Sequence, residues 1–105
     1  MNNYKIRIDE DALQDIQNAT IWYNKQLEGL GSKFQKQIKS QINALKKDAT
    51  IYAIRYDNVR CMNIKKFPFM VHYSISTNLL LVEVFAITHT SRNPEIWDER
   101  KKSKF

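Results

Sequence analysis

Hydrophobic and polar positions change period once along this chain, and that change divides it into a helical first half and a strand-rich second half. YKIRI, residues 4 to 8, alternates Tyr4, Ile6 and Ile8 with Lys5 and Arg7, the period of a strand with one buried face. From Asp9 the spacing lengthens: Leu13, Ile16, Thr20, Tyr23 and Leu27 recur at three- and four-residue steps and predict a helix to about Gln26. Asp9, Glu10 and Asp11 supply its capping side chain and the negative charge a helix start prefers. Gly29 and Gly31, the only glycines, bracket Leu30 and are expected to take left-handed conformations. A second apolar stripe follows, Phe34, Ile38, Ile42 and Leu45, with Lys33, Lys36, Lys39, Lys46 and Lys47 mostly off it. So short a turn implies an antiparallel helical hairpin.

After residue 58 the period becomes that of strands. VRCMNI (59 to 64), FMVHYSI (69 to 75) and NLLLVEVFAIT (78 to 88) are rich in β-branched and aromatic residues, with STN at 76 to 78 as a tight turn. They predict a three-stranded antiparallel meander. LLLVEVFAI is apolar at nearly every position, as a central strand covered on both sides would be, and the first strand can pair beside it. IYAIRYDN, 51 to 58, reads either as irregular or as a short strand. Asn93 and Pro94 suit the cap and first position of a short closing helix, with Glu95, Asp98 and Glu99 early and Lys101, Lys102 and Lys104 late. The expectation is one α+β domain over residues 1 to 105.

That length permits a real core, burying roughly 65% of the unfolded surface. One cysteine, Cys61, precludes an internal disulfide and reads as a small strand residue, with no second cysteine for a metal or redox motif. No signal-peptide run and no stretch of ~18 apolar residues is present, so a cytoplasmic protein is expected, without membrane association, metal or small-molecule cofactor. Seventeen Lys and Arg stand against eleven Asp and Glu, a net charge of +6 that favours acidic partners such as nucleic acid or an acidic protein segment.

The order of strand, helical hairpin, meander and short basic helix resembles toxins of the RelE/ParE superfamily, from type II toxin-antitoxin modules, many known as plasmid stabilisation proteins. ALQDIQNATIWYNKQLEGLGSKF resembles that family's hairpin, NVR and KKFPFMVHY its second and third strands, and AITHTSRNPEIWDER its C-terminal pattern of His, Arg, Pro and Trp. The resemblance covers nearly the whole chain. It implies a cognate antitoxin and one of two targets. ParE-like members bind DNA gyrase and poison it without chemistry of their own; RelE-like members enter the ribosome and cut messenger RNA.

Metal-free RNA cleavage needs a base for the 2′-hydroxyl, cations for the phosphorane and an acid for the leaving oxygen. The nuclease pattern carries an Arg just before the Val-Tyr of the third strand, where this chain has Phe69 and Met70. The departure favours gyrase inhibition, with the ribosome-dependent nuclease and a non-catalytic basic nucleic-acid-binding domain as alternatives. Arg60, Lys65, Lys66, His89 and Arg92 are the candidates for catalysis if the chain is a nuclease, and with Arg100 the candidates for target binding. Four of them have a plainer role beside the functional one. Lys65 and Lys66 suit a solvated turn, Arg92 a pairing with an acid such as Asp98, and His89 a hydrogen bond holding its loop. Trp97 is expected to anchor the closing helix on the sheet, since an indole buries a large area. His72 carries little functional weight, and Tyr23 and Trp22 are read as core and rim of the hairpin.

Overall fold

The computed structural model describes residues 3–91. Within them the chain forms β1 (Lys5–Ile8), α1 (Glu10–Gln26), α2 (Leu30–Asp48), β2 (Ile54–Tyr56), β3 (Val59–Asn63), β4 (Phe69–Ser76) and β5 (Leu81–His89). The strands make one mixed sheet in the order β1-β5-β4-β3-β2, with β1 parallel to β5 and every other pairing antiparallel. The meander therefore has four strands where three were expected. The extra one lies in the ambiguous segment 51 to 58, where Ile54 and Tyr56 pair with Arg60 and Val59 to form a short edge. β5 lies between β1 and β4, and its residues 84–88 are buried on both faces of the sheet, which is why its sequence is almost continuously apolar. The expected closing helix, with Trp97, Arg92 and Arg100, lies outside the described residues.

The parallel pairing of β1 with β5 is allowed because the connection between them is long, running through both helices and the other three strands. Where β1 ends, α1 takes over the flank of β5: the Asp9 amide donates to Val84 O at 2.9 Å, and Asp15 Oδ2 accepts the Ile87 amide at 2.9 Å. Asp9 occupies the cap position of α1 with extended backbone, but no side-chain cap hydrogen bond forms there. Glu10 and Asp11 supply the favourable charge in the first turn.

The buried line of α1 is Ala12, Ile16, Ala19 and Tyr23, so two members of the expected stripe, Leu13 and Leu27, are instead exposed. The small alanines let α1 come close to its neighbours. Of the two glycines, only Gly29 takes the left-handed conformation, at φ +88°. Gly31 serves a close approach: a Cβ there would stand 2.3 Å from Thr20 O, and its amide donates to Asn24 Oδ1 at 2.8 Å. Phe34, Ile38, Ile42 and Leu45 of α2 are all buried, as their spacing predicts.

Tyr23, Phe34, Phe67 and Phe69 form an aromatic cluster with ring centroids 5.1 to 6.1 Å apart, joining both helices to the end of the sheet. The turn between the last two strands comes later than the STN pattern places it. β5 begins at Leu81, and Leu80 takes a positive φ of 49° just before it.

Candidate functional site

The candidate cations fall into two places. Arg60, in β3, faces the helices, and its Nη1 donates to Tyr52 O at 2.6 Å and to Thr50 O at 3.2 Å. These carbonyls belong to the segment that leaves α2, so Arg60 fastens that segment to the sheet. Tyr73, its neighbour across the strand pair, does the same from full burial, its hydroxyl donating to Ala49 O at 2.6 Å. Burial pushes the Tyr73 phenol well above its ordinary value, so it serves as a hydrogen-bond donor and is unsuited to proton abstraction near neutrality.

Lys65 and Lys66 lie apart from Arg60, on the turn between β3 and β4, both exposed. Lys66 takes the left-handed conformation at φ +72°. Arg60 and these two lysines, grouped as candidates by the sequence, are thus divided by the direction in which the Arg60 side chain reaches. The lysine turn adjoins the end of β5: Thr90 N donates to Pro68 O at 2.9 Å, and the His89 ring meets Phe69 edge-on at 5.3 Å. His89 is half-buried, and its Nδ1 lies 2.7 Å from the Ser91 hydroxyl and accepts the Ser91 amide at 3.2 Å. The ring therefore holds its loop, the plainer of the two roles its position suggests. Lys65, Lys66 and His89 share one end of the sheet; Arg92, which would extend this group, and Arg100 lie outside the described residues.

Phe69 and Met70, where a nuclease-like arginine is expected, are packing residues. Phe69 sits in the aromatic cluster against Phe34 and Tyr23, and Met70 is buried on the other side of the sheet.

That other side holds a polar group that sequence reasoning passes over. His72 is fully buried, with Nε2 2.8 Å from Thr88 Oγ1 and Nδ1 3.3 Å from Tyr56 OH and 3.4 Å from Cys61 Sγ. Four strands meet in this network. Its signal is present in the sequence: Cys61 faces His72 across the β3–β4 pair once the register is known. Burial pushes the Cys61 thiol up to about 11, away from the thiolate a nucleophile or metal ligand requires. The network is suited to joining strands and holds no activated group of that kind.

Groups able to bind anions are therefore concentrated at the sheet end and on the helix beside it, where Lys33, Lys36 and Lys66 line a cleft of about 490 Å³ floored by Leu30 and Phe67. No helix among the described residues is long and apolar enough to cross a membrane.

No protein-family model matches the chain, and no curated protein matches it either. Solved structures do. The chromosomal ParDE toxin-antitoxin system of P. aeruginosa matches at 16% identity over 82% of this chain and 95% of that one, with a TM-score of 0.73. An arginine-substituted RelE toxin of E. coli in the free state matches at 17% identity over the full length of both, also at 0.73. The toxin-antitoxin complex RelBE of E. coli matches at 17% identity over 85% of this chain and 99% of that one, at 0.66.

Proposed function

We propose that this chain, which has the RelE/ParE fold, is the toxin of a type II toxin-antitoxin module, neutralised by a cognate antitoxin and acting by a ParE-like binding inhibition of DNA gyrase. The observation that carries the toxin reading is the likeness to solved toxins over nearly the whole chain. That several of these structures are complexes with antitoxins supports a protein partner here. Inhibition by binding is favoured over cleavage because Phe69 and Met70 are committed to packing. A nuclease must place donors on the extra phosphorane charge, and losing one costs about 100-fold or more in rate. Arg60, the other strand-borne cation among the candidates, is engaged with backbone carbonyls.

A second reading, a ribosome-dependent endonuclease, draws on the meeting of Lys65, Lys66 and His89 at one end of the sheet. Induced expression in a bacterium should arrest growth, and co-expression of the adjacent antitoxin gene should restore it; unimpaired growth at confirmed soluble expression removes the toxin reading. Purified protein should then inhibit gyrase supercoiling and leave messenger RNA on programmed ribosomes intact. Cuts in the RNA with gyrase untouched reverse the choice of target and make His89 a candidate for proton transfer.

A further inference from the structure

The excess charge of this protein is localised. α2 carries five lysines and one acid, Asp48, and the β3–β4 turn adds Lys65 and Lys66; the rest of the chain holds ten bases and ten acids. The whole net charge of +6 thus belongs to one helix and one turn. All seven lysines are exposed, and none forms an ion pair among the described residues.

The fold joins the two segments. Gln37 Nε2 donates to Gln41 Oε1 at 2.8 Å, the same oxygen accepts the Lys65 amide at 2.8 Å, and Gln41 Nε2 donates to Asn63 O at 3.0 Å. This ladder holds the turn against the middle of α2 and brings Lys66 into the cleft it shares with Lys33 and Lys36. From there Lys33, Lys36, Ser40 and Lys47 follow the side of the helix opposite the buried stripe, a row about 21 Å long at 1.5 Å per residue.

We infer that this face of α2, with the β3–β4 turn, binds the phosphodiester backbone of a nucleic acid without reading its sequence. Ammonium groups act on phosphates as point charges and need no matched partner geometry. A protein partner would call for other residues. Lysine is depleted at protein interfaces, and the outer face between Lys33 and Lys47 offers glutamine, serine, asparagine and alanine with no large apolar or aromatic anchor. Lysines without ion pairs along a rigid helix can each meet a phosphate of a flexible backbone and give salt-sensitive affinity. The inference does not rest on the toxin reading.

The test is binding of the purified full chain to a short labelled single-stranded RNA and to duplex DNA, read by fluorescence anisotropy between about 50 and 200 mM salt. The variant Lys33→Gln/Lys36→Gln/Lys47→Gln/Lys66→Gln should bind about tenfold or more weakly at the lower salt, with the slope of log K against log salt reduced by roughly 2 to 3 for RNA, at ~0.7 per phosphate contact. A control of equal charge loss, Lys25→Gln/Arg55→Gln/Lys101→Gln/Lys102→Gln, should lose much less. Gln41→Ala keeps every charge and should weaken binding severalfold by releasing the turn. Equal loss in the two quadruple variants would assign binding to overall charge and overturn the proposal, as would absence of binding by the unaltered chain. Tighter capture of a poly-glutamate peptide by the same face would also overturn it, in favour of an acidic protein. Because the readout is binding alone, failure here is separable from failure of the growth assay.

Discussion

On the helix side of the sheet, Val71, Tyr73, Val82 and Val84 pack with Phe34, Ile38 and Tyr23 in the larger of the two apolar clusters. On the opposite side Val59, Phe85 and Ala86 form a small cluster beside His72 and its neighbours Thr88, Tyr56 and Cys61. Polar atoms on the first side reach outward to fasten backbone carbonyls, as Tyr73 and Arg60 do. On the second they satisfy one another across four strands. Volume sets the energy of the first side, since apolar burial is non-directional and scales with area. Matching of donors to acceptors sets that of the second, since a buried polar group left without its partner costs its desolvation.

Truncation separates the two. Phe34→Ala removes a fully buried ring and should lower stability by ~3–5 kcal/mol in denaturant unfolding, the largest single effect expected here. His72→Leu keeps a comparable volume and leaves the Thr88 and Tyr56 hydroxyls without the imidazole, so a loss of about 1–3 kcal/mol is expected. A His72→Leu protein as stable as the parent would show that the second side is held by packing alone.

The cations sharpen the same contrast between fastening and free charge. Arg60→Gln removes a charged donor from Tyr52 O and Thr50 O and should cost about 1–2 kcal/mol of stability, discounted for its partial exposure. Lys65→Gln/Lys66→Gln should leave the unfolding midpoint within experimental error, because exposed charges contribute little. If growth arrest is lost in the lysine variant and retained in Arg60→Gln, Arg60 leaves the set of target-binding residues. The converse would restore it.

Most elements are legible in the sequence because their periods are strong. The buried stripe of α2 and the central place of β5 follow directly from apolar spacing, and the left-handed Gly29 from its place between two helical patterns. Pattern and structure part where small residues carry the packing. Ala12 and Ala19 line the buried side of α1, while the larger Leu13 and Leu27 remain exposed, so side-chain size points to the wrong stripe. β2 is ambiguous because a three-residue edge strand has too few positions for a period. In the site, the strand order is enough to place Lys65, Lys66 and His89 near one another, but not to give the direction of the Arg60 side chain. The His72 network depends on cross-strand register, and the lysine row has the same pattern as any solvated helix face.

The smallest effect expected tests how thoroughly the polar side of the sheet is closed. Burial raises the Cys61 thiol from an ordinary 9.0 to about 11, with Arg55 pulling weakly the other way. Below pH 9 the folded and unfolded chains both keep this proton, so the thiol makes no pH-dependent difference. Between about 9 and 11 the unfolded chain has released it while the folded one retains it, so stability falls as pH rises through that window. Tyr73, whose phenol is also raised from 10.0, adds to the decline but from a later onset. Melting temperatures of Cys61→Ala followed upward from pH 8 should therefore hold level further than those of the parent before both decline. Alkylation gives an independent reading: with ionisation moved from 9.0 to about 11, the thiolate fraction near pH 8 is roughly 100-fold below that of an unhindered cysteine, and the rate should fall in proportion. Alkylation of the folded protein as fast as a cysteine peptide would mean that the His72 side of the sheet is open to solvent, and the contrast between the two sides would then rest on volume alone.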